Sequence, residues 1–132
     1  HNHRIGLYDA FLIKENHIAA CGSISQAVQR ARQLAPHKPI EVEVETLPQL
    51  EEAMAAKADR VMLDNFSLED TRTAIELAKG QCDIEISGNL TAANIPALLN
   101  QEVDYVSSGA LTKHLQAIDL SMRLQLIQRA TA

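Results

Sequence analysis

Polar and apolar residues alternate without a break in "IEVEVE", residues 40–45. A period of two sends Val42 and Val44 to one face of a β-strand and Glu41, Glu43 and Glu45 to the other. Four further stretches read as strands: "AFLIK" (10–14), "RVMLD" (60–64), "DIEIS" (83–87) and "DYVSS" (104–108). Between them the period lengthens to that of a helix. "SISQAVQRARQLA" opens with Ser23 and Gln26 in a capping box and carries Ile24, Ala27, Val28, Ala31 and Leu34 on one stripe. "TLPQLEEAMAAKA" has Thr46 as N-cap, with Leu47, Leu50 and Met54 on a shared face. "SLEDTRTAIELAKG" starts at Ser67, directs Leu68, Ile75 and Ala78 inward, and stops at Gly80. "TAANIPALLN" is short, and Pro96 is tolerated there only in a first turn.

Strands alternating with helices pair in parallel, because parallel neighbours need a crossover connection. Successive strand ends lie roughly 20 to 30 residues apart, the size of one βα unit. A glycine-rich dinucleotide fingerprint is absent, so the pattern predicts part of a TIM-like α/β barrel, with about five parallel strands. Five strands cannot close such a barrel, and two long edges are expected to stay open. The tail changes period. Ile118, Leu120, Met122, Leu124 and Leu126 alternate with polar residues, which favours a return strand over a helix running on from "LTKHLQA". The expected division is a barrel portion over residues 1–117 and a return strand and tail over 118–132. The abrupt "HNHR" start, with no methionine and no run-up into the first strand, reads as an excised segment.

Composition narrows the class. The chain has 132 residues, 46% of them hydrophobic and 22% charged, enough for one domain with a real core. A net charge of −5 opposes non-specific nucleic-acid binding. No apolar run approaches the ~20 residues that span a bilayer, and the start has no signal-peptide pattern. The two cysteines, Cys21 and Cys82, form no CxxC pair, so a zinc site is not expected. These features together predict a cytoplasmic protein.

Chemistry in such barrels collects at the C-terminal ends of the strands. Those ends carry Lys14, then Glu43 and Glu45, then Asp64, then Ser87-Gly88-Asn89, then Ser108-Gly109-Ala110; His3 and Arg4 lie just upstream of the first strand. "SGNLT" and "SSGALT" both follow a strand and precede a helix. Their backbone N–H groups suit a phosphate, although either turn alone equally fits a plain strand ending. The glutamates could face water on a solvated edge. Asp83, Glu85 and Ser87 share their habit, however, and two polar-faced strands in a parallel pattern point to a polar barrel interior. Carboxylates buried there need cations, so Lys14, Arg4 or a bound Mg²⁺ is expected beside them. His17 and His37 read as ordinary surface histidines. His3 beside Arg4 suits an anion better than a metal.

"NHRIGLYDAFLIKENH", "EVEVETLPQLEEAM", "VMLDNF", "EISGNLT" and "SSGALTKHLQAIDLSMRL" together resemble quinolinate phosphoribosyltransferase, bacterial type, in its C-terminal part. The resemblance covers nearly the whole chain. It implies transfer of a phosphoribosyl group from phosphoribosyl pyrophosphate to quinolinate with decarboxylation, giving nicotinate mononucleotide for NAD biosynthesis, with Mg²⁺. It implies Arg4 and Lys14 as holders of the quinolinate carboxylates, assisted by His3. Glu43 and Asp64 correspond to the acids that address ribose hydroxyls and metal, with Lys14, Glu43 and Asp64 as the catalytic set. Ser87, Gly88 and Asn89, with Ser108, Gly109 and Ala110, correspond to the turns that hold the 5-phosphate. Many relatives carry histidine after "GALT"; here Lys113 stands there, followed by His114, and either could serve. The family is a homodimer whose neighbouring subunit lends an arginine. It also has an N-terminal domain, early barrel strands and a basic stretch that this chain lacks, which implies a fragment inactive alone that self-associates or needs the missing half. A paralogue with another phosphoribosyl acceptor, or a non-catalytic oligomerisation piece, are the competing readings.

Overall fold

The computed structural model describes residues 5, 6, 8–88, 90, 91, 94–99, 102–113 and 115–125. Five strands form: β1 (Phe11–Ile13), β2 (Ile40–Val44), β3 (Arg60–Asp64), β4 (Asp83–Ser87) and β5 (Tyr105–Ser107). They make one all-parallel sheet in the order β1-β2-β3-β4-β5, the open arc of an α/β barrel. The strands bury one common apolar face. Ile40, Val42, Val44, Val61 and Leu63 are fully buried, and Ile84 and Ile86 nearly so. Burying each such side chain is worth about 1.5–3 kcal/mol, which makes this face the main drive for folding.

The helices α2 (Ile24–Leu34), α3 (Leu47–Ala55) and α4 (Leu68–Ala78) cover that apolar face, contributing Ile24, Val28, Leu50, Ala53, Ala74 and Ile75 to one core. Their starts follow the expected caps. Ser23 Oγ accepts from the Gln26 N–H at 3.1 Å, Thr46 Oγ1 from Gln49 at 3.4 Å and Ser67 Oγ from Asp70 at 3.0 Å. Pro96 falls in the first turn of α5 (Ile95–Leu99), the position a proline tolerates. α6 (Ala110–Lys113) follows β5 at once.

Aspartates just before two strands fix their register. Asp59 Oδ2 accepts from the Ile40 N–H at 2.7 Å and from Arg32 Nη2 at 2.8 Å. Asp104 Oδ2 accepts from the Ile84 N–H at 2.8 Å. Each carboxylate completes the ladder at the end of the neighbouring strand, where a backbone donor would otherwise lack a partner.

The structure departs from the sequence expectations in five places. A helix α1 (Glu15–Cys21) stands directly after β1; its start is held by His17 Nδ1, which accepts from the Lys14 N–H at 3.0 Å, and it ends at Gly22 with φ 98°. Leu34, in the last turn of α2, is 62% exposed, and Leu68, at the first position of α4, is 40% exposed. Both sit at an end of their helix. The edge strands β1 and β5 are three residues each, so the exposed edges are short rather than long. Residues 115–125 form neither helix nor strand, so the strand expected from 118 is not made over 118–125. Alternation sets which way side chains face, but a strand also needs a neighbouring edge, and among the described residues none pairs with this segment. No helix among the described residues is long and apolar enough to cross a membrane.

Candidate active site

The sheet has a second face, and it is polar. Register places Glu41 opposite Arg60, Glu43 opposite Met62, Arg60 opposite Asp83, Met62 opposite Glu85, Asp64 opposite Ser87, Glu85 opposite Tyr105 and Ser87 opposite Ser107. All of these side chains leave the sheet on the side away from α2, α3 and α4, the side that lines a barrel's interior.

At the C-terminal end of this face, Lys14 Nζ lies 2.5 Å from Glu43 Oε2. That hydrogen bond is the main reason the Lys14 pKa stands above its ordinary value of 10.5; the charges of Glu43, Glu15 and Asp64 add to it, while burial works against it. Asp64 ends the next strand, and its Oδ2 accepts from Asn65 Nδ2 at 3.1 Å. Asn65 has φ 56°, and its N–H donates to the Ser87 carbonyl at 3.1 Å, tying the end of β3 to the end of β4. Gly88 then turns the chain with φ 84°, and a Cβ there would stand 2.3 Å from Asn65 Oδ1. Only glycine satisfies both conditions. The following turn is tied to this one: Ser108 Oγ donates to the Leu90 carbonyl at 3.4 Å and accepts from the Ala110 N–H at 3.3 Å. Beside Ser87 and Gly88, towards the helix-covered side of the sheet, lies a cavity of about 210 Å³ walled by Asn65, Phe66, Leu68, Ile86, Leu90 and Leu98. Two carboxylates, one ammonium and two small-residue bends therefore share one rim. The group suits a phosphorylated, hydroxylated ligand that develops positive charge between the acids.

Residues 1–123 match the family model for the C-terminal domain of quinolinate phosphoribosyl transferase. The chain belongs to the quinolinate phosphoribosyl transferase family. It is 46% identical over 127 residues to a probable carboxylating nicotinate-nucleotide pyrophosphorylase of Bacillus subtilis, covering 96% of this chain and 44% of that protein. It is 38% identical over 126 residues to the carboxylating enzyme of Mycobacterium leprae, covering 93% of this chain and 44% of that one. Among solved structures, the nicotinate-nucleotide pyrophosphorylase of Francisella tularensis superposes with a TM-score of 0.84 at 54% identity, over 90% of this chain and 42% of that one. The chain thus spans less than half the length of the relatives it matches.

Within this quinolinate phosphoribosyl transferase domain, the expected residues divide clearly. Lys14, Glu43, Asp64, Ser87, Gly88, Ser108, Gly109 and Ala110 gather at the rim. Lys113 lies over the second bend, its Cε 3.3 Å from where a Gly109 Cβ would stand. Glu45 is exposed beyond the end of β2. His3, Arg4, Asn89 and His114 lie outside the described residues.

The glutamates' charge is answered at two levels. Lys14 serves Glu43 at the rim. Below it, Arg60 serves the buried pair Glu41 and Glu85, with Nη1 3.8 Å and 3.5 Å from their carboxylates, and its guanidinium lies 3.7 Å from the centroid of the Tyr105 ring. Arg60 was the cation that sequence reading missed. Its signal was its place at the head of "RVMLD", on the same alternate positions as Met62 and Asp64.

Proposed function

We propose that the protein carrying this chain transfers the phosphoribosyl group of phosphoribosyl pyrophosphate to quinolinate, with loss of CO₂, to give nicotinate mononucleotide and pyrophosphate. One observation carries the reading: Lys14, Glu43 and Asp64 occupy the ends of three successive positions in the sheet on its polar side, beside two glycine-containing bends. The similar proteins named above as carboxylating nicotinate-nucleotide pyrophosphorylases support it.

In the proposed reaction the quinolinate nitrogen bonds to the anomeric carbon as the bond to pyrophosphate breaks. The sugar then carries positive charge, which the carboxylates of Glu43 and Asp64 stabilise because they are already fixed in place. Lys14, now shared between Glu43 and the substrate, holds a quinolinate carboxylate and keeps the ring nitrogen aimed at the sugar. The bond from the ring to the carboxyl group beside the nitrogen then breaks. CO₂ leaves, and the electron pair left on the ring carbon takes up a proton. Backbone N–H groups of the bends at Gly88 and at Ser108–Ala110 seat the 5-phosphate.

Mg²⁺ fits the donor set in a limited sense. Glu43 and Asp64 offer oxygen ligands, but no group of three or more metal-binding side chains occurs among the described residues. Such a site suits an ion that arrives with substrate phosphates and needs only one or two carboxylates. When bound there, Mg²⁺ would neutralise the departing pyrophosphate. The reading also includes a cytoplasmic homodimer in which residues 118–132 return to strands contributed by the rest of the protein.

The test is to incubate the longest gene product containing this chain with phosphoribosyl pyrophosphate, Mg²⁺ and either quinolinate or nicotinate. Quinolinate-dependent release of nicotinate mononucleotide and CO₂ supports the proposal. Product from nicotinate alone would replace it with a paralogue acting on another acceptor.

A further inference from the structure

We infer that Glu85, anchored by Arg60, is a positioning residue that sets the two phosphate-binding bends against each other through Ser107; this rests on the proposed phosphoribosyl chemistry. Glu85 is 1% exposed, the most deeply buried charged side chain on the polar face. It neither ends a strand nor reaches the rim. Its Oε1 accepts a hydrogen bond from Ser107 Oγ, and its Oε2 faces Arg60 Nη1 at 3.5 Å. Ser107 is the last residue of β5, paired in register with Ser87, the last residue of β4. The two bends begin at the very next residues, Gly88 and Ser108.

A carboxylate in this position is costly. Burying it costs several kcal/mol unless it is paired, and a buried ion pair rarely stabilises a fold more than well-packed apolar groups would. The apolar alternative is present next door, since Met62 is the register neighbour of Glu85 on β3. What the charge provides instead is direction. The carboxylate fixes the Ser107 hydroxyl, and hence the end of β5, relative to β4. Arg60 braces both sides of that tie, pairing with Glu85 on β4 and stacking on Tyr105, two residues before Ser107 on β5. Above it, Ser108 Oγ reaches the Leu90 carbonyl. The two bends are therefore joined at two heights. Their N–H groups can converge on one phosphate only if β4 and β5 end at a fixed offset.

The experiment uses the longest gene product carrying this chain, with Ser107→Ala, Ser107→Thr and Glu85→Gln. Affinity for ribose 5-phosphate is measured by calorimetry, and KM for phosphoribosyl pyrophosphate is compared with KM for quinolinate. Ser107→Ala is expected to weaken ribose 5-phosphate binding roughly five- to ten-fold, the loss of one hydrogen bond. The KM for phosphoribosyl pyrophosphate should rise alongside, with the quinolinate KM within about two-fold of wild type. Ser107→Thr, which keeps the hydroxyl, should restore binding. Glu85→Gln combined with Ser107→Ala should be no worse than the weaker single variant, because both act through one tie. Unchanged ribose 5-phosphate affinity in Ser107→Ala, or equal rises in both KM values, would overturn the inference while leaving the proposed reaction standing. A wild type that binds ribose 5-phosphate but makes no product would sink the reaction and still allow the binding arm to decide. A wild type that binds no ribose 5-phosphate would overturn both.

Discussion

Replacing Gly88 with alanine tests the rim at its tightest point. The residue has φ 84°, a conformation that costs an L-residue roughly 1–2 kcal/mol. The added Cβ would also stand 2.3 Å from Asn65 Oδ1 and 2.7 Å from its Cγ, so the Asn65 amide must move. Moving it breaks the 3.1 Å bond to Asp64, worth about 0.5–1.5 kcal/mol net. The expected destabilisation is therefore about 2–3 kcal/mol. Gly80 supplies the control: its φ is 73°, but nothing lies within 4 Å of an added Cβ, so Gly80→Ala should cost the backbone contribution alone. Urea unfolding of the two variants, compared by midpoint at constant slope, separates the contributions. In an Asn65→Gly background, where the clash and the bond to Asp64 are both already gone, Gly88→Ala should cost the backbone contribution alone. Equal losses in Gly88→Ala and Gly80→Ala, or an undiminished cost of Gly88→Ala in the Asn65→Gly background, would refute the packing argument.

Three further outcomes follow from the same geometry. Lys14→Ala should weaken quinolinate binding by roughly 1.5–3 kcal/mol, a charged hydrogen bond, read by calorimetry. Because the folded Lys14 pKa is raised above 10.5, its pairing with Glu43 contributes fully below that pH and is lost as pH climbs through the folded value; an alkaline unfolding series should therefore fall less steeply in Lys14→Met than in wild type. The isolated 132-residue chain should self-associate in light scattering through Ile118, Leu120, Met122 and Leu124, each at least 80% exposed, and changing all four to serine should leave a smaller particle.

The sheet was legible because β2 and β4 carry a period-two pattern and β1 and β3 are short apolar runs between helical stretches, and three helix starts were legible because Ser23, Thr46 and Ser67 are local signals. α1 escaped notice: "ENHIAAC" has no such cap before it, and its start relies on a histidine reaching back to Lys14. The rim residues could be read from the strand ends. The face that Arg60 takes could be read from its alternation with Met62 and Asp64, but its pairing with Glu41 and Glu85 lies in register across β2, β3 and β4, which no linear pattern states. Residues 118–125 show the converse. Their alternation is local, but a strand is a relation between two segments.

Steady-state formation of nicotinate mononucleotide by the longest gene product carrying this chain, compared among wild type, Glu43→Gln and Asp64→Asn, asks whether the two acids at the rim stabilise charge in the reaction. Both variants keep the side-chain shape and lose the charge. The wild type should turn over quinolinate, and each variant should lose about a hundred-fold or more in kcat, on the scale of removing one fixed electrostatic partner. Full activity in both variants, or none in the wild type, would contradict it.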